Sequence, residues 1–259
     1  MDDATAAVRE PEIQIRAPQD TQEMRLGVDL QKQVWAYSEI DTVPDQIFIV
    51  ARESGGQVLF AFDQDQPIGF ALAFAAMHNG TIYLHSHMVG VLPGYQNRGV
   101  GRLLKCAQRD DAIARGINLI EWTFDPLQLR NAHFNLVRLG AVVRRHIANF
   151  YGRTSSPLHA GLPTDRLVAE WWIQSTRVAD ILSGKRYVPA SNVVRVSLPS
   201  TIREICGSDV QEAETIQMRV RKGFEQHFAQ GRAAVGFEFD EQHSCYLLES
   251  YEDRIHHTS

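Results

Sequence analysis

Apolar and polar residues alternate along the chain from Leu84 to Val91, which predicts a β-strand. One side of the predicted strand carries His85, His87, Val89 and Val91, and the other side carries Ser86, Met88 and Gly90. The pair Pro93-Gly94 ends the strand. After Gly101, apolar residues recur at helical spacing as far as Ile113. The pattern therefore predicts a strand, a glycine-rich turn and the start of a helix.

The same two spacings divide the rest of the chain into strands and helices. Further strands are predicted at Ile13 to Arg16, Val58 to Asp63, Pro67 to Ala76, Gly116 to Phe124, Val142 to Ile147, Arg166 to Ser175, Asn192 to Leu198, Ala233 to Asp240 and Cys245 to Leu248. Helices are predicted at Asp20 to Tyr37 with Asp20 as N-cap, at Pro44 to Glu53, from Asn131 to Leu139 and at Asp209 to Ala229. Turns at 64–66 and 78–80 join the second, third and fourth strands into a meander, and a tract at 154–164 reads as a connection. The chain is therefore predicted to be α/β.

Two glycines, Gly99 and Gly101, stand where the predicted loop becomes the helix. Glycine has no Cβ, so its backbone can come close to an anion, and the free N–H groups of a first helical turn point at such an anion with the helix dipole behind them. An ordinary helix N-terminus would carry similar residues. The turn is thus a candidate phosphate site, and only its sequence motif can distinguish such a site from an ordinary helix N-terminus.

The motif excludes two familiar phosphate loops. A Walker loop would end in Gly-Lys-Ser/Thr, and a Rossmann fingerprint would read G-x-G-x-x-G with an acidic residue further on. The chain has instead Q-x-x-G-x-G from Gln96 to Gly101, after the step Val91-Leu92-Pro93. This segment resembles the coenzyme A pyrophosphate loop of the GNAT superfamily of N-acetyltransferases.

The resemblance implies a GNAT fold, in which helices flank a mixed, mostly antiparallel central sheet, and it implies acetyl-CoA as co-substrate. The loop amides would hold the pyrophosphate at Gln96, Asn97, Arg98, Gly99, Val100, Gly101 and Arg102. The strand edge at Val89 and Val91 would pair with the pantetheine, and an amide there would polarise the thioester carbonyl. Asn131 would contact the pantetheine arm.

The segment downstream of the loop extends the resemblance. It has the order strand, helix, strand, and its helix starts at Asn131 and ends in Leu139-Gly140, as in the superfamily. Most members carry a tyrosine four residues before that glycine, placed to protonate the leaving thiolate. This chain has Leu136 there, so the usual general acid is missing, and Tyr151 is a reserve candidate whose alternative is simple packing.

The histidine pair His85 and His87 precedes the loop on the predicted strand. Imidazole has the unperturbed pKa best suited to a general base near neutral pH. A similar strand pair in serotonin N-acetyltransferase, a GNAT member, is held to relay the amine proton through water. The alternative is that both histidines are packed and hydrogen-bonded for structural reasons.

Composition narrows the class of partner and the compartment. The chain has 259 residues, 44% of them hydrophobic, and a formal net charge of -5 with its basic residues scattered, so nucleic acid is not an expected partner. Three separated cysteines suit neither a disulfide framework nor a metal site, and no metal is expected. No apolar run reaches a membrane-spanning length, and the acidic start Met1-Asp2-Asp3 is unlike a signal peptide. A cytoplasmic protein without membrane contact is predicted.

The last part of the chain is predicted to be an extension. Residues 12–175 would form the acyl-CoA-binding catalytic domain, and residues 176–259, which lack a second Q-x-x-G-x-G motif, would cover the acceptor side or form a homodimer interface. A stripe of Ile216, Val220, Phe224 and Phe228 on its long helix must be buried against something. Arg219, Arg221 and Lys222 either bind an anionic substrate or form a solvated face.

The sequence as a whole predicts an N-acetyltransferase that transfers acetyl from acetyl-CoA to a small-molecule or protein amine, with His85 or His87 as base. Two alternatives remain open, a non-catalytic acyl-CoA-binding module and an enzyme for longer acyl chains. Trp35 and Tyr37 either shape the acceptor pocket or belong to the core.

Overall fold

A computed structural model describes residues 12–35, 42–78, 80–152, 161–240 and 243–251. The chain forms two compact units, Met1–Ile117 and Asn118–Ser259. Tyr37, the predicted turn residue Asn79, most of the connection predicted at 154–164 and the turn residues 241 and 242 lie outside the described residues.

The first unit is an antiparallel sheet with helices on both faces. Its elements are β1 (Ile13–Arg16), α1 (Arg25–Trp35), α2 (Asp45–Glu53), β2 (Gln57–Asp63), β3 (Gln66–His78), β4 (Thr81–Val91) and α3 (Val100–Ala114). The strands are ordered β1-β2-β3-β4, as in the predicted meander. Because successive side chains of a strand point to opposite faces, the sheet has two apolar sides. Phe60, Phe70 and Leu72 pack towards α1 and α2, whereas Ala61 and Ile68 pack towards α3.

Helix α1 begins at Arg25, which is later than the predicted start at Asp20. Asp20 does act as a cap, since its Oδ1 accepts a hydrogen bond from the Glu23 amide at 2.9 Å. The residues that follow form short turns, with the amide of Met24 bonded to the carbonyl of Thr21. Asp20 is therefore a cap as predicted, but it caps the turn that precedes α1 and not the first turn of the helix.

Strand β4 contains a β-bulge at His87. Leu72 of β3 pairs with Met88, and the next residue Ala73 pairs with Ser86, so His87 has no partner on β3. One extra residue in a strand moves every later side chain to the opposite face. The predicted strict alternation from Leu84 to Val91 is therefore wrong.

The bulge determines which residues share a face of the sheet. Ser86 hydrogen-bonds side chains of α3, and Val89 and Val91 pack against the same helix. His85 pairs with Phe74, which belongs to the core beneath α1 and α2. The prediction that His85 lies on one side with Val89 and Val91 is corrected, because they are on opposite faces.

The second unit is also an antiparallel sheet, with its strands in the order β5-β7-β6-β9-β10-β8. Its elements are β5 (Leu119–Phe124), α4 (Leu129–His133) continued by a π-helical turn (Phe134–Arg138), β6 (Val142–Ile147), β7 (Arg166–Trp172), α5 (Thr176–Leu182), β8 (Val194–Pro199), α6 (Ile202–Ser208), α7 (Val210–Phe228), β9 (Arg232–Phe239) and β10 (His243–Ser250). Helices α5 and α6 were not predicted, because seven residues are too few to show a helical repeat.

Helix α7 buries the apolar stripe predicted for it. Its N-cap is Asp209, whose Oδ1 accepts from the Glu212 amide at 2.9 Å. Ile216, Val220 and Phe224 are buried, and the helix packs against β6, β8 and β9 of its own unit. The stripe is therefore covered within one chain, although the boundary at residue 175 and the homodimer stay predictions. None of the helices that the structure describes is long and apolar enough to cross a membrane.

Candidate active site

The glycine-rich turn between β4 and α3 is tied to the sheet at two points. Pro93–Tyr95 form a short helical turn, and the Tyr95 hydroxyl donates to Oδ2 of Asp63 on β2 at 2.8 Å. The side-chain amide of Gln96 donates to the carbonyl oxygen of Val91 at 3.0 Å. These two bonds hold the loop in front of the helix, so the Gln96 side chain has a structural role in addition to the role predicted for its backbone amide.

The N-terminus of α3 is open to a ligand. Gly99 is its N-cap, with φ 84°, a left-handed conformation that glycine adopts without steric cost. No side chain caps the helix, and a Cβ placed on Gly99 would meet no atom within 4 Å. The N–H groups of Val100 and Gly101 in the first turn have no preceding turn to bond to. This end of α3 is therefore suited to binding an anion such as a pyrophosphate group.

Charged and polar loop residues surround that open end. Asn97 has φ 62° and is exposed, as is Arg98, whose guanidinium lies 5.5 Å from the centre of the Tyr95 ring. Arg102 is half-buried in the first turn of α3. Two guanidinium groups beside a helix N-terminus increase its attraction for an anion.

The end of β4 offers backbone groups to a ligand. The amide of Leu92 donates to the carbonyl of Ile68 on β3 at 2.9 Å. Backbone groups alternate in direction along a strand, so the N–H groups of Val91 and Val89 point away from β3. The side chains of both valines are engaged with the apolar side of α3. A ligand at this point would therefore meet the backbone of Val89 and Val91, and their pairing with pantetheine stays a prediction.

His85 and His87 lie side by side on the face opposite α3. Their ring centres are 6.2 Å apart, and the His87 ring is 5.4 Å from the centre of the Phe74 ring. Burial, helped by the neighbouring His87 and Lys105, lowers the pKa of His85 to about 4. Desolvation also lowers the pKa of His87, which is the more exposed residue of the two. Both imidazoles are therefore neutral at pH 7, the form that can accept a proton.

Sequence reasoning missed a buried polar network on the other face of β4. The Lys105 amine donates to Ser86 Oγ at 2.8 Å, and Ser86 Oγ donates to Oε1 of Gln108 at 3.0 Å. The signal was present, since Lys105 and Gln108 interrupt the apolar stripe that Leu104 and Ala112 form on α3. Ser86, which lies between the two candidate bases in the sequence, is thus hydrogen-bonded to α3, the helix that follows the glycine-rich loop.

Two predicted positions lie in the second unit. Asn131 is exposed on α4, so its side chain is available to a ligand. Leu136 is fully buried in the π-helical turn. A buried leucine has no group to protonate a thiolate, and the acid that most family members carry at this position is absent here.

Tyr151 and the cationic residues of α7 have defined surroundings. The Tyr151 hydroxyl is 3.4 Å from Thr123 Oγ1, and its side chain is 49% exposed, which leaves the hydroxyl reachable. Arg221 forms a bidentate ion pair with Asp165, at 2.7 and 2.8 Å, so it is engaged within the protein.

Trp35 packs edge-on against Phe70, with ring centres 5.7 Å apart, as part of the core beneath α1 and α2. Among the described residues, no group of three or more His, Cys, Asp or Glu side chains could hold a metal ion.

Comparison with known proteins agrees with this geometry. Residues 21–140 match the model of the acetyltransferase (GNAT) family. No curated protein gives a significant sequence match. Three similar solved structures are a putative GNAT acetyltransferase from Desulfovibrio desulfuricans (17% identity, 62% of this chain and 99% of that chain, TM-score 0.51), the ribosomal-protein-S18-alanine N-acetyltransferase from Escherichia coli (15%, 63% and 96%, TM-score 0.51) and a putative acetyltransferase from Salmonella typhimurium with acetyl-CoA (16%, 69% and 98%, TM-score 0.50).

The family match covers 120 of the 259 residues, and the three solved structures share the fold of this chain. The segment 21–140 therefore resembles a GNAT acetyltransferase domain. The mostly antiparallel sheet flanked by helices, predicted from the glycine loop and its flanks, is confirmed.

Proposed function

We propose that the protein transfers the acetyl group of acetyl-CoA to an amine, by direct attack of the neutral amine on the thioester. One observation carries this proposal: β4 leads from a pair of neutral histidines directly into the open N-terminus of α3. A base and an anion site on one short segment are the two parts that the reaction needs, since the amine must lose a proton while the cofactor is held by its phosphates.

The backbone of the first unit has two roles in this proposal. The amides of the loop from Gln96 to Arg102 hold the pyrophosphate. The N–H of Val89, which points away from β3, donates to the thioester carbonyl oxygen as negative charge develops on it. The backbone of Val91 pairs with the pantetheine, and the resemblance assigns Asn131 to the same arm.

His87 is the better base of the two histidines. A general base works best when its pKa lies near the working pH, and the pKa of His85, at about 4, is far below neutrality. His87 has the smaller pKa shift and is an exposed residue, so water can reach it. In this proposal His87 takes the amine proton through a water, while His85 stays neutral beside it.

The departing thiolate needs a proton from another source. Because Leu136 is buried and apolar, the proposal assigns this step to Tyr151, whose hydroxyl is exposed, or to solvent. The acceptor is a small-molecule or protein amine. We further propose a cytoplasmic location and a role for residues 176–259 in covering the acceptor or in forming a homodimer.

The test is turnover of acetyl-CoA with a panel of small amines and peptide N-termini, followed by release of free thiol. Changing both histidines to alanine should lower the rate by about 10²–10⁴-fold at neutral pH, as expected for loss of a general base. Coenzyme A affinity, measured by calorimetry, should not change, because neither histidine belongs to the loop. The loss should shrink at high pH, where the amine deprotonates without help.

Other outcomes separate the alternatives. Binding of acetyl-CoA without turnover of any amine would contradict the proposal and favour a non-catalytic binding module. Faster turnover of a longer acyl-CoA than of acetyl-CoA would identify an enzyme for longer acyl chains. Wild-type rates in the doubly changed protein would remove both histidines from the mechanism.

A further inference from the structure

Lys105 is buried in the first unit, on the side of α3 that faces β4. Only 3% of its surface is exposed, and burial lowers its pKa well below the usual lysine value. Moving an amine out of water costs free energy, and an apolar side chain of similar volume would fill the same space without that cost. Packing alone therefore does not explain a lysine at this position.

The amine of Lys105 binds the hydroxyl of Ser86. Ser86 Oγ accepts from Lys105 Nζ at 2.8 Å and donates to Gln108 Oε1 at 3.0 Å, so the hydroxyl is bonded in both directions. Ser86 and Gln108 are both buried, with 4% and 0% of their surfaces exposed. The side-chain amide of Gln57 on β2 extends this chain of bonds by donating to the backbone carbonyl oxygen of Gln108 at 2.9 Å. The network thus joins β2, β4 and α3.

The network requires one register of β4. The bulge lies at His87, and it is this extra residue that puts Ser86 on the face of α3 together with Val89. If the bulge moved by one residue, an imidazole would stand against Lys105 in place of the small hydroxyl. An imidazole is too large for that buried space, and the hydrogen bonds of the amine would be lost. The observed register is the one that keeps the Ser86 hydroxyl bonded to both Lys105 and Gln108.

We infer that Lys105 is a positioning residue, which fixes the β4 bulge through Ser86 and thereby places His87 beside His85 on the opposite face. The inference rests on the proposed acetyl transfer, because it gives the bulge a catalytic purpose. Buried polar groups are known to specify register where apolar residues would leave alternatives. Lys105 also lies one turn after Gly101, so the helix that carries the loop amides is the helix that fixes the base.

The direct test is Lys105→Met, which removes the amine and keeps an unbranched side chain. We expect kcat to fall by about 10- to 100-fold, the range expected when a catalytic group is misplaced. The KM for acetyl-CoA should change by less than about twofold, because the amides of the α3 N-terminus are untouched. The thermal unfolding midpoint should not fall, since a buried amine has been replaced by an apolar group.

Two further variants keep the test decisive. Ser86→Ala removes the other end of the same hydrogen bond with little change in volume, and it should reproduce the loss in kcat even if Lys105→Met folds poorly. The double variant should lose no more than either single variant, since both act through one interaction. Leu104→Met is the matched control, a buried change on the neighbouring residue of α3 that breaks no hydrogen bond.

A readout without turnover separates this inference from the proposed function. The backbone amide resonances of His87 and Val89 should shift in Lys105→Met and Ser86→Ala, and not in Leu104→Met. If the wild-type protein turned over no amine, the proposed function would fail. The positioning role would then be judged by the resonances alone, and unshifted resonances in Lys105→Met would reject it. Wild-type kcat with unshifted resonances in Lys105→Met overturns the inference, and so does an equal loss of kcat in Leu104→Met.

Discussion

The imidazole rings of His85 and His87 lie 6.2 Å apart, centre to centre, on the same face of β4. The residue between them points to the other face. That residue, Ser86, is buried against α3, while His87 is the unpaired residue of the bulge and remains exposed. The two histidines therefore have different solvent access, and different chemistry is expected of them.

The first prediction separates the two histidines by pH. A base works only when it is deprotonated, and desolvation lowers the pKa of His87 below 6.5. Besides the decline caused by protonation of the amine itself, kcat/KM should therefore show a further decline as the pH falls below that value. His87→Gln should abolish this decline and slow the reaction by about 10²–10⁴-fold. His85→Gln is the matched variant and should keep the decline, because the pKa of His85 is already about 4. A pH profile of His87→Gln with the wild-type decline would contradict the assignment.

The second prediction concerns the glycine loop. Gly101→Val should abolish coenzyme A binding, because a branched side chain in the first turn of α3 would block close approach of the pyrophosphate, while the fold should persist. Gly94→Ala is the control, since a Cβ there meets no atom within 4 Å and the residue lies outside the motif. Calorimetric titration should show lost affinity only for Gly101→Val. Unchanged affinity would exclude the loop as the cofactor site.

The third prediction concerns the attachment of α7. Asp165, on which 0% of the side chain is exposed, accepts hydrogen bonds from His146 and Arg221, so Asp165→Ala should lower the free energy of unfolding by about 3–5 kcal/mol. Asp180→Ala is the control, because the Asp180–Lys185 pair is exposed and such pairs contribute about 0–1 kcal/mol. Chemical denaturation at neutral pH measures both. Similar values for the two variants would show that the buried cluster does not hold the helix.

The same cluster predicts how stability depends on acid. Burial alone would raise the pKa of Asp165, but the hydrogen bonds from His146 and Arg221 outweigh it and keep the pKa below its usual value. A carboxyl with a lowered folded pKa stabilises the fold fully above its unfolded pKa of about 3.9, and the stabilisation is lost as the pH falls through the folded pKa. The stability difference between wild type and Asp165→Ala should therefore be constant near neutrality and shrink below about pH 4.

The last prediction concerns the extension. A chain that ends at Ser175 keeps β4, the loop and α3, and it should retain coenzyme A affinity. It loses β9, which pairs with β6 at Val143 and Ala234, and α7, which covers the same sheet. The exposed edge and apolar face should make the truncated protein aggregate or lose acceptor turnover. A soluble monomer with full activity would show that the extension is independent of the reaction.

Local signals in the sequence were sufficient for the elements and for the loop. Strand and helix periodicity located β1 to β4, α2 and α7 to within a few residues, because each has a complete apolar repeat. The Q-x-x-G-x-G motif located the open N-terminus of α3, because a left-handed N-cap at Gly99 depends on the residue itself. The short helices α5 and α6 gave no periodic signal, so they were found only in the structure.

The sequence by itself therefore determined the fold, the glycine-rich loop and the two candidate bases, all of which depend on residue type and local spacing. The tertiary structure decided which face each candidate occupies, because a one-residue bulge changes the alternation and leaves no mark in the hydrophobic pattern. It also decided the environments that set the pKa values of His85 and Asp165, which depend on neighbours distant in the chain. Lys105 shows the difference most directly. In the sequence it is one charged residue of a helix, and only its packing against Ser86 connects the helix of the glycine-rich loop with the strand of the histidine pair.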